Sequence, residues 1–472
     1  MKILIFYFLI FLFSINAGFS QNRHSIDFNI SNYENDTLLL AYFYGEKQMI
    51  LDTVFAAKKG TFEYRADSIL NPGVYIGLIY PSKEYFQFLV NETELNFSVD
   101  VDYNKLSDIS SNGSKDNELF FDYIKFIGDM NTKAKTLSEE KSKLVEAGLK
   151  TDDVDAKLEK LDKDVKSMQW EMIKNNPNTI FALLIKANME IEIPDFDVPE
   201  DELSLKRFHY YKDHFFDYID FHNPATIFTP FIHNKVTTYM ERLTLQMPDS
   251  IISSIDYVLG KMDPKSEIWK YYVSNFLNTY ARSQFVGMDA VYVHLAKKYY
   301  ATGMTPWVET DRLNRIIDTA LKLENVLIGK IAPNIVLYDE AEKPVAIHDI
   351  VADYTVLVFW KPDCGHCKTS MPAIVDFQKD FRDKNVKVVG ICTKMGSKFD
   401  ECWEVVQKLK MESFSMNLAD GRNRSNFHAM YNIQSTPQIF VLDKNKKILI
   451  KQIPGEKLGE IVGNIIENES GD

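Results

Sequence analysis

The stretch that decides the fold is Tyr354-Thr355-Val356-Leu357-Val358-Phe359-Trp360-Lys361-Pro362-Asp363-Cys364-Gly365-His366-Cys367. Tyr354 to Trp360 is a continuous apolar run of the kind that makes a buried strand. A short turn, Lys361-Pro362-Asp363, follows it and delivers two cysteines three residues apart. After Cys367 the pattern Met371, Ile374, Val375 and Phe377 to Phe381 predicts a helix, with Pro372 inside it, and Val386 to Thr393 predicts a second buried strand. Strand, helix and strand in that order imply a right-handed parallel crossover.

The flanking segments complete a domain. Upstream, Gly329-Lys330-Ile331-Ala332-Pro333 leads into Ile335 to Leu337 and Pro344 to Ile347, a predicted hairpin with Asp339-Glu340 at its turn. Downstream, Gln438 to Leu442 and Lys447 to Ile453, separated by Asp443-Lys444-Asn445-Lys446, predict an antiparallel hairpin, and Leu458 to Ile466 a closing helix. The order is that of a thioredoxin-like α/β domain.

The chemistry is placed on Cys364 and Cys367. A thiolate attacks disulfides, and an unperturbed thiol titrates near 8.5, so the site must favour the anion. Coming straight off a strand, Cys364 falls at a helix N-terminus, where unpaired N–H groups and the positive end of the dipole face its sulfur. Cys367 lies one turn further along the same face. Cys364 is thus expected to be the exposed attacker and Cys367 the buried resolver. A partly protonated His366 is expected to stabilise the thiolate further, with Asp363 pushing the other way.

On these residues the sequence resembles the thioredoxin superfamily, and more narrowly the exported TlpA/ResA-like thiol–disulfide oxidoreductases. The features that carry the resemblance are Phe359-Trp360, Cys364-Gly365-His366-Cys367, Pro372, and Ser435-Thr436-Pro437 before Gln438-Ile439-Phe440. It spans about 328–468, including an insertion near 397–426. The resemblance implies that Pro437 is a cis-proline facing the active site, that the Thr436 backbone pairs with an extended substrate, and that Trp360 belongs to the substrate surface. It implies protein dithiol or disulfide substrates, a redox partner protein and no cofactor. Two positions depart from the pattern. Thioredoxins carry a buried carboxylate where this chain has Val358, and ResA-like proteins carry a Glu where it has Ser370. Deprotonation of Cys367 must then rely on His366, water or another carboxylate. The central Gly-His pair is similar to that of protein disulfide isomerases.

The rest of the chain is longer than this domain. With 472 residues, 45% apolar and 26% charged, the composition is that of ordinary globular protein, and roughly 150 residues per domain gives about three domains. A net charge of −13 and a pI near 5.3 argue against nucleic-acid binding. Lys2, the apolar run Ile3 to Ile15 and the small residues Ala17, Gly18 and Ser20 read as a signal peptide over 1–20, with cleavage near Ser20/Gln21. Its apolar core is shorter than the roughly 20 residues of a spanning helix, so an uncleaved anchor is the weaker reading. No Cys follows it for acylation. Export to the periplasm or cell envelope of a Gram-negative bacterium, with no membrane span after signal removal, is the expected location.

Two further composition regimes fill 21–325. Residues 21–112 are expected to form a small β sandwich or meander. Its short apolar runs are Thr37 to Tyr44, Met49 to Phe55, Gly60 to Tyr64, Gly73 to Tyr80, Tyr85 to Val90 and Glu94 to Val99. Residues 113–325 are expected to be helical. Val154, Leu158, Leu161, Val165, Met168 and Met172 make one apolar stripe, and the charge-dense stretch Lys133 to Lys166 reads as a solvated helical hairpin. Asn175-Asn176-Pro177-Asn178 stops that helix, and Thr179 begins another. The aromatic block Trp269, Tyr271, Tyr272, Phe276, Tyr280, Tyr292, Tyr299 and Tyr300 is read as helical core in preference to a stacking platform. A β domain, a helical domain and a thioredoxin-like domain, 326–472, in that order are similar to multidomain proteins exported by Bacteroidota.

Rival chemistries of the cysteines are weaker. Zinc at Cys364, His366 and Cys367 lacks a nearby fourth ligand, and the Pro-x-x-x-Thr-x-x-Cys pattern of peroxidases fails, because His366 and Thr369 fall at its Thr and Cys positions. Cys392 and Cys402 are expected to be buried free thiols, with a second disulfide or a relay thiol at Cys392 as the sharper alternative. The expected function is thiol–disulfide exchange through Cys364 and Cys367. A cell-envelope binding or scaffolding protein is the alternative from a different class.

Overall fold

The computed structural model describes residues 23–396 and 400–470; the leader read in 1–20 lies outside the described residues. The chain divides into two compact units, one ending at Thr237 and the other beginning at Thr238. Each is built around its own sheet.

In the first unit eight strands form one sheet in the order β6-β5-β2-β3-β4-β1-β7-β8. They are β1 (Ser25–Ser31), β2 (Thr37–Tyr44), β3 (Lys47–Lys58), β4 (Thr61–Arg65), β5 (Gly73–Ile79), β6 (Glu84–Val90), β7 (Asn96–Asp102) and β8 (Lys105–Asn112). All neighbours are antiparallel except β1 and β7, which run parallel. Phe28 of β1 packs on Phe86 and Phe88 of β6, with ring centroids 6.0 and 5.2 Å apart. Those strands stand far apart in the sheet order, so the sheet folds over on itself to enclose its core, as a sandwich does. Two strands, β1 and β8, lie outside the short apolar runs named above. β8 is a mostly exposed edge whose sequence is polar, so periodicity gives it little signal.

Helices follow. The first are α1 (Lys115–Glu146), α2 (Asp152–Asn175) and α3 (Ile180–Asn188); α4 (Glu200–His214) and α5 (Pro230–Arg242) carry the chain towards the second unit. Ser114 caps α1, accepting from the Asn117 N–H, and Asn117 exchanges two bonds with the Leu89 backbone of β6. Asp116 accepts from Asn91 and from the Phe181 N–H at the start of α3. These bonds pin the helices to the sheet. The expected hairpin is α1 and α2, and Thr179 caps α3 as its position predicted.

The second unit opens with α6 (Pro248–Gly260), α7 (Glu267–Ala281), α8 (Asp289–Leu295) and α9 (Thr310–Glu324), with a π-helical turn at Ala296–Tyr300. Trp269, Tyr272, Phe276, Tyr292, Tyr299 and Tyr300 are buried here, in agreement with the helical-core reading. The remaining strands are β9 (Val336–Tyr338), β10 (Pro344–Ala346), β11 (Tyr354–Trp360), β12 (Val386–Cys392), β13 (Met416–Ala419), β14 (Gln438–Leu442) and β15 (Ile448–Lys451). Their order is β10-β9-β13-β12-β11-β14-β15. β11, β12 and β13 are parallel, while β14 pairs with β11 antiparallel. The helices of this region are α10 (Gly365–Asp380), α11 (Glu401–Lys408), α12 (Phe427–Met430) and α13 (Leu458–Ser470).

Every residue of β11 is buried. Val356, Val358 and Trp360 join one core with Met371 and Ile374 of α10 and Val462 of α13, whereas Leu357 and Phe359 join another with Phe427 and Tyr431. Both faces of the strand are covered, which is why its sequence shows no alternation. β13 lies inside the insertion expected near 397–426.

Candidate functional site

The site is made where β11 ends. Trp360, Cys392 and Ala419 are register partners at the carboxyl ends of β11, β12 and β13, so the turn after Trp360 emerges at the C-terminal edge of the parallel strands. That is the edge at which open α/β sheets present their sites. Cys364 is the N-cap residue of α10, and its sulfur accepts from the Cys367 N–H at 3.2 Å. Its Sγ also stands 3.2 Å from the Thr436 carbonyl, to which the thiol donates. Thr436 and Pro437 are joined by a cis peptide bond immediately before β14, as the resemblance implied. The two sulfurs are unbonded; Cys364 is half-buried and Cys367 fully buried.

Their acidities are driven apart. Burial works against the Cys364 thiolate. Hydrogen bonds from the Cys367 thiol, the Thr436 side chain and the N–H groups of Cys367 and His366 outweigh it and lower the Cys364 pKa. Cys367 moves the other way: burial, and then its bond to Cys364, push its pKa far above that of a free thiol. A half-buried sulfur of lowered pKa and a buried one of raised pKa are the arrangement expected of an attacker and its resolver.

Several expectations are corrected in detail. His366 is exposed, and its backbone N–H is among the groups that lower the Cys364 pKa. Asp363 does not oppose the thiolate unscreened, because Lys394 Nζ stands 2.8 Å from its carboxylate. Trp360 is 1% exposed, sealed between β12 and β14, so it supports the floor of the site and cannot line a substrate surface. Cys392 and Cys402 are buried as expected but form a disulfide, with Cα atoms 6.1 Å apart, which overturns the free-thiol reading. Their ten-residue separation in sequence gives no sign that α11 returns to the end of β12.

Two residues of the site went unnoticed in the sequence. Lys394 is one. Glu456 is the other: it accepts from Ser370 at 3.0 Å, where the turn Gly455–Lys457 packs on α10. A carboxylate from 86 residues away thus reaches the helix position three residues beyond Cys367. Neither residue stands out in a charged surface sequence, because its partner is distant along the chain.

The mixed sheet and the paired sulfurs at the head of α10 define a thioredoxin-like domain. Comparison with known proteins agrees. Residues 328–450 match the AhpC/TSA family, 156–323 a domain of unknown function (DUF5106), and 24–120 another (DUF4369). The chain is similar to the thiol–disulfide oxidoreductase ResA of Bacillus cereus, 25% identical over 138 residues that cover 29% of this chain and 75% of that protein. The ResA of Bacillus anthracis gives the same identity and coverage. Among solved structures, a domain of a possible thiol-disulfide isomerase from Cytophaga hutchinsonii is 30% identical, covering 31% of this chain and 98% of that one, with a TM-score of 0.29. A thioredoxin-like protein from Bacteroides caccae is 17% identical, with 58% and 99% covered and a TM-score of 0.43. The C-terminal part of the chain is a thioredoxin-like domain similar to the ResA thiol–disulfide oxidoreductases.

Proposed function

We propose that the chain is an exported thiol–disulfide oxidoreductase that exchanges disulfides with protein substrates through Cys364 and Cys367. The observation that carries this reading is the placement of Cys364 as the N-cap of α10, accepting from the Cys367 N–H, with Cys367 buried behind it. The Cys364 thiolate attacks one sulfur of a substrate disulfide. A bond forms between Cys364 and that sulfur, and the other substrate sulfur leaves as a thiolate and takes a proton. Cys367 then loses its proton and attacks Cys364 Sγ, expelling the second substrate thiolate and leaving the Cys364–Cys367 disulfide. Two electrons pass to the substrate. The same steps reversed oxidise a dithiol, and a redox partner protein resets the pair.

Thr436 and Pro437 form the wall opposite Cys364, and an extended substrate would pair with the Thr436 backbone there. His366 stands exposed beside the sulfurs, at the entrance. Export is supported by the leader read over 1–20 and by the Cys392–Cys402 disulfide, since such bonds persist in oxidising compartments. Among the described residues no helix is long and apolar enough to cross a membrane. Family matches over 24–120, 156–323 and 328–450 support the order of a β domain over 21–112, a helical domain over 113–325 and the redox domain over 326–472.

The test is exchange by the purified reduced chain with an oxidised protein substrate such as insulin, together with N-terminal sequencing of exported material. Turnover that is lost in Cys364→Ser and a mature terminus at or near Gln21 are expected. A wild-type chain without exchange would favour the envelope scaffold, and retention of 1–20 in a membrane fraction would overturn cleavage.

A further inference from the structure

Lys394 follows the disulfide-bonded end of β12 and lies over the turn that carries the attacking cysteine. Thr393 fixes its base, donating to the Trp360 carbonyl from its N–H at 2.8 Å and from its hydroxyl at 3.1 Å. The Gly396 N–H donates to the Gly421 carbonyl at 3.0 Å. The Cys392–Cys402 disulfide then closes the segment and brings Glu401 of α11 to 3.6 Å from Lys394 Nζ. Between these anchors the Lys394 side chain is 16% exposed, and its ammonium stands 2.8 Å from Asp363, the residue next to Cys364.

An ion pair of this kind contributes little to stability, because Asp363 is largely in water. Its consequence is for the neighbouring sulfur. A carboxylate one residue from Cys364 opposes formation of a second negative charge, and an ammonium bonded to that carboxylate cancels the opposition. The other ionisable groups around the turn are Lys361 on the turn itself, His366 and Lys368 in the first turn of α10, and Glu401 on the far side of Lys394. Glu401 competes with Asp363 for Lys394 at the longer distance.

Building on the exchange reaction proposed above, we propose that Lys394 is a positioning residue: tethered by the Cys392–Cys402 disulfide, its ammonium neutralises Asp363 and so favours the Cys364 thiolate over the thiol. The second disulfide therefore acts on the reaction without exchanging electrons in it.

The test is the pH dependence of Cys364 alkylation in the reduced full-length chain, with melting temperature recorded alongside. Lys394→Gln should raise the Cys364 pKa by about half a unit to one unit, and slow attack on a disulfide at neutral pH by at most about three- to tenfold, as the thiolate fraction falls. Lys394→Arg should restore the wild-type value. In Asp363→Asn the Lys394→Gln change should shift the pKa by less than half as much, because the charge to be cancelled is gone. Cys392→Ala with Cys402→Ala should shift it in the same direction as Lys394→Gln, and again only when Asp363 is present. An unchanged Cys364 pKa in Lys394→Gln, with or without a lower melting temperature, would overturn the proposal. So would an equal shift in the Asp363→Asn background. Failure of the exchange reading itself is seen separately, as exchange that persists in Cys364→Ser.

Discussion

Cys364 and Thr436 are 72 residues apart in the chain, and the thiol of the first donates to the carbonyl of the second at 3.2 Å. The loop before β14 therefore forms one wall of the site and the N-terminus of α10 the other. A substrate strand laid along Thr436 would bring its own sulfur to Cys364, the half-buried member of the pair, while Cys367 stays covered.

The separation of the two sulfurs predicts different fates for their variants. Cys367→Ser should still attack a substrate disulfide but fail to expel the product, so covalent adducts accumulate on non-reducing gels. Cys364→Ser should accumulate few. Cys392→Ser and Cys402→Ser should still form adducts, because both sulfurs are buried in their own disulfide. Equal adducts from Cys364→Ser and Cys367→Ser would count against the assignment.

The acidity of the pair gives a pH profile. The bonds from the Cys367 thiol, Thr436 and the two N–H groups overcome burial and hold Cys364 below its ordinary value, so its alkylation midpoint should lie below that of a free cysteine thiol measured alongside. Cys367 should react only at much higher pH. A single midpoint at the free-thiol value for both sulfurs is the contrary result.

Within the second unit, Lys451 of β15 is 1% exposed and bonded to Asp289 of α8 and, at 2.6 Å, to the Val326 carbonyl. Asp289→Ala leaves that ammonium buried without its counter-charge and should cost about 3 kcal/mol in denaturant unfolding. Lys451→Met in the same background should recover most of the loss. If Asp289→Ala is neutral, the pair does not hold β15 to the helices.

A half-buried carboxylate gives a second pH dependence. Asp256 accepts from His294, Lys298 and Tyr299 at 2.9, 2.8 and 2.6 Å. Burial raises its pKa, but those three bonds together outweigh burial and leave it lowered. The folded value is thus below the unfolded one, near 3.9, so the stabilisation is complete above about pH 4 and is lost as pH falls through the folded value. Asp256→Asn should lower the melting temperature at pH 6 and narrow its difference from wild type as the pH approaches 3. A difference that does not change with pH would refute this.

The approach of the last turn to α10 is tight. A Cβ on Gly455 would stand 3.0 Å from Ile374 Cγ1 and 3.1 Å from Ser370 Cβ. Gly455→Val should destabilise by about 1–3 kcal/mol and disturb the Ser370–Glu456 bond beside it. Urea unfolding measures the first effect; unchanged stability would show that the turn can move away without cost.

The sequence alone determined the elements whose signal is local. The apolar run Tyr354 to Trp360 specified β11 to the residue, because a strand covered on both faces must be apolar throughout. Spacing put Cys364 at the head of a helix and Cys367 one turn along it, and the stripe from Val154 to Met172 specified α2. The tertiary structure decided what depends on distant parts of the chain meeting. It sealed Trp360 beneath the site, joined Cys392 to Cys402, set Lys394 against Asp363 and brought Glu456 to Ser370. Each of these joins residues from separate elements, and their pairing energies arise only after the sheet has brought those elements together. The polar β8 and the four-residue β13 belong to the same class, since the neighbours that pair with them, and not their own periodicity, make them strands.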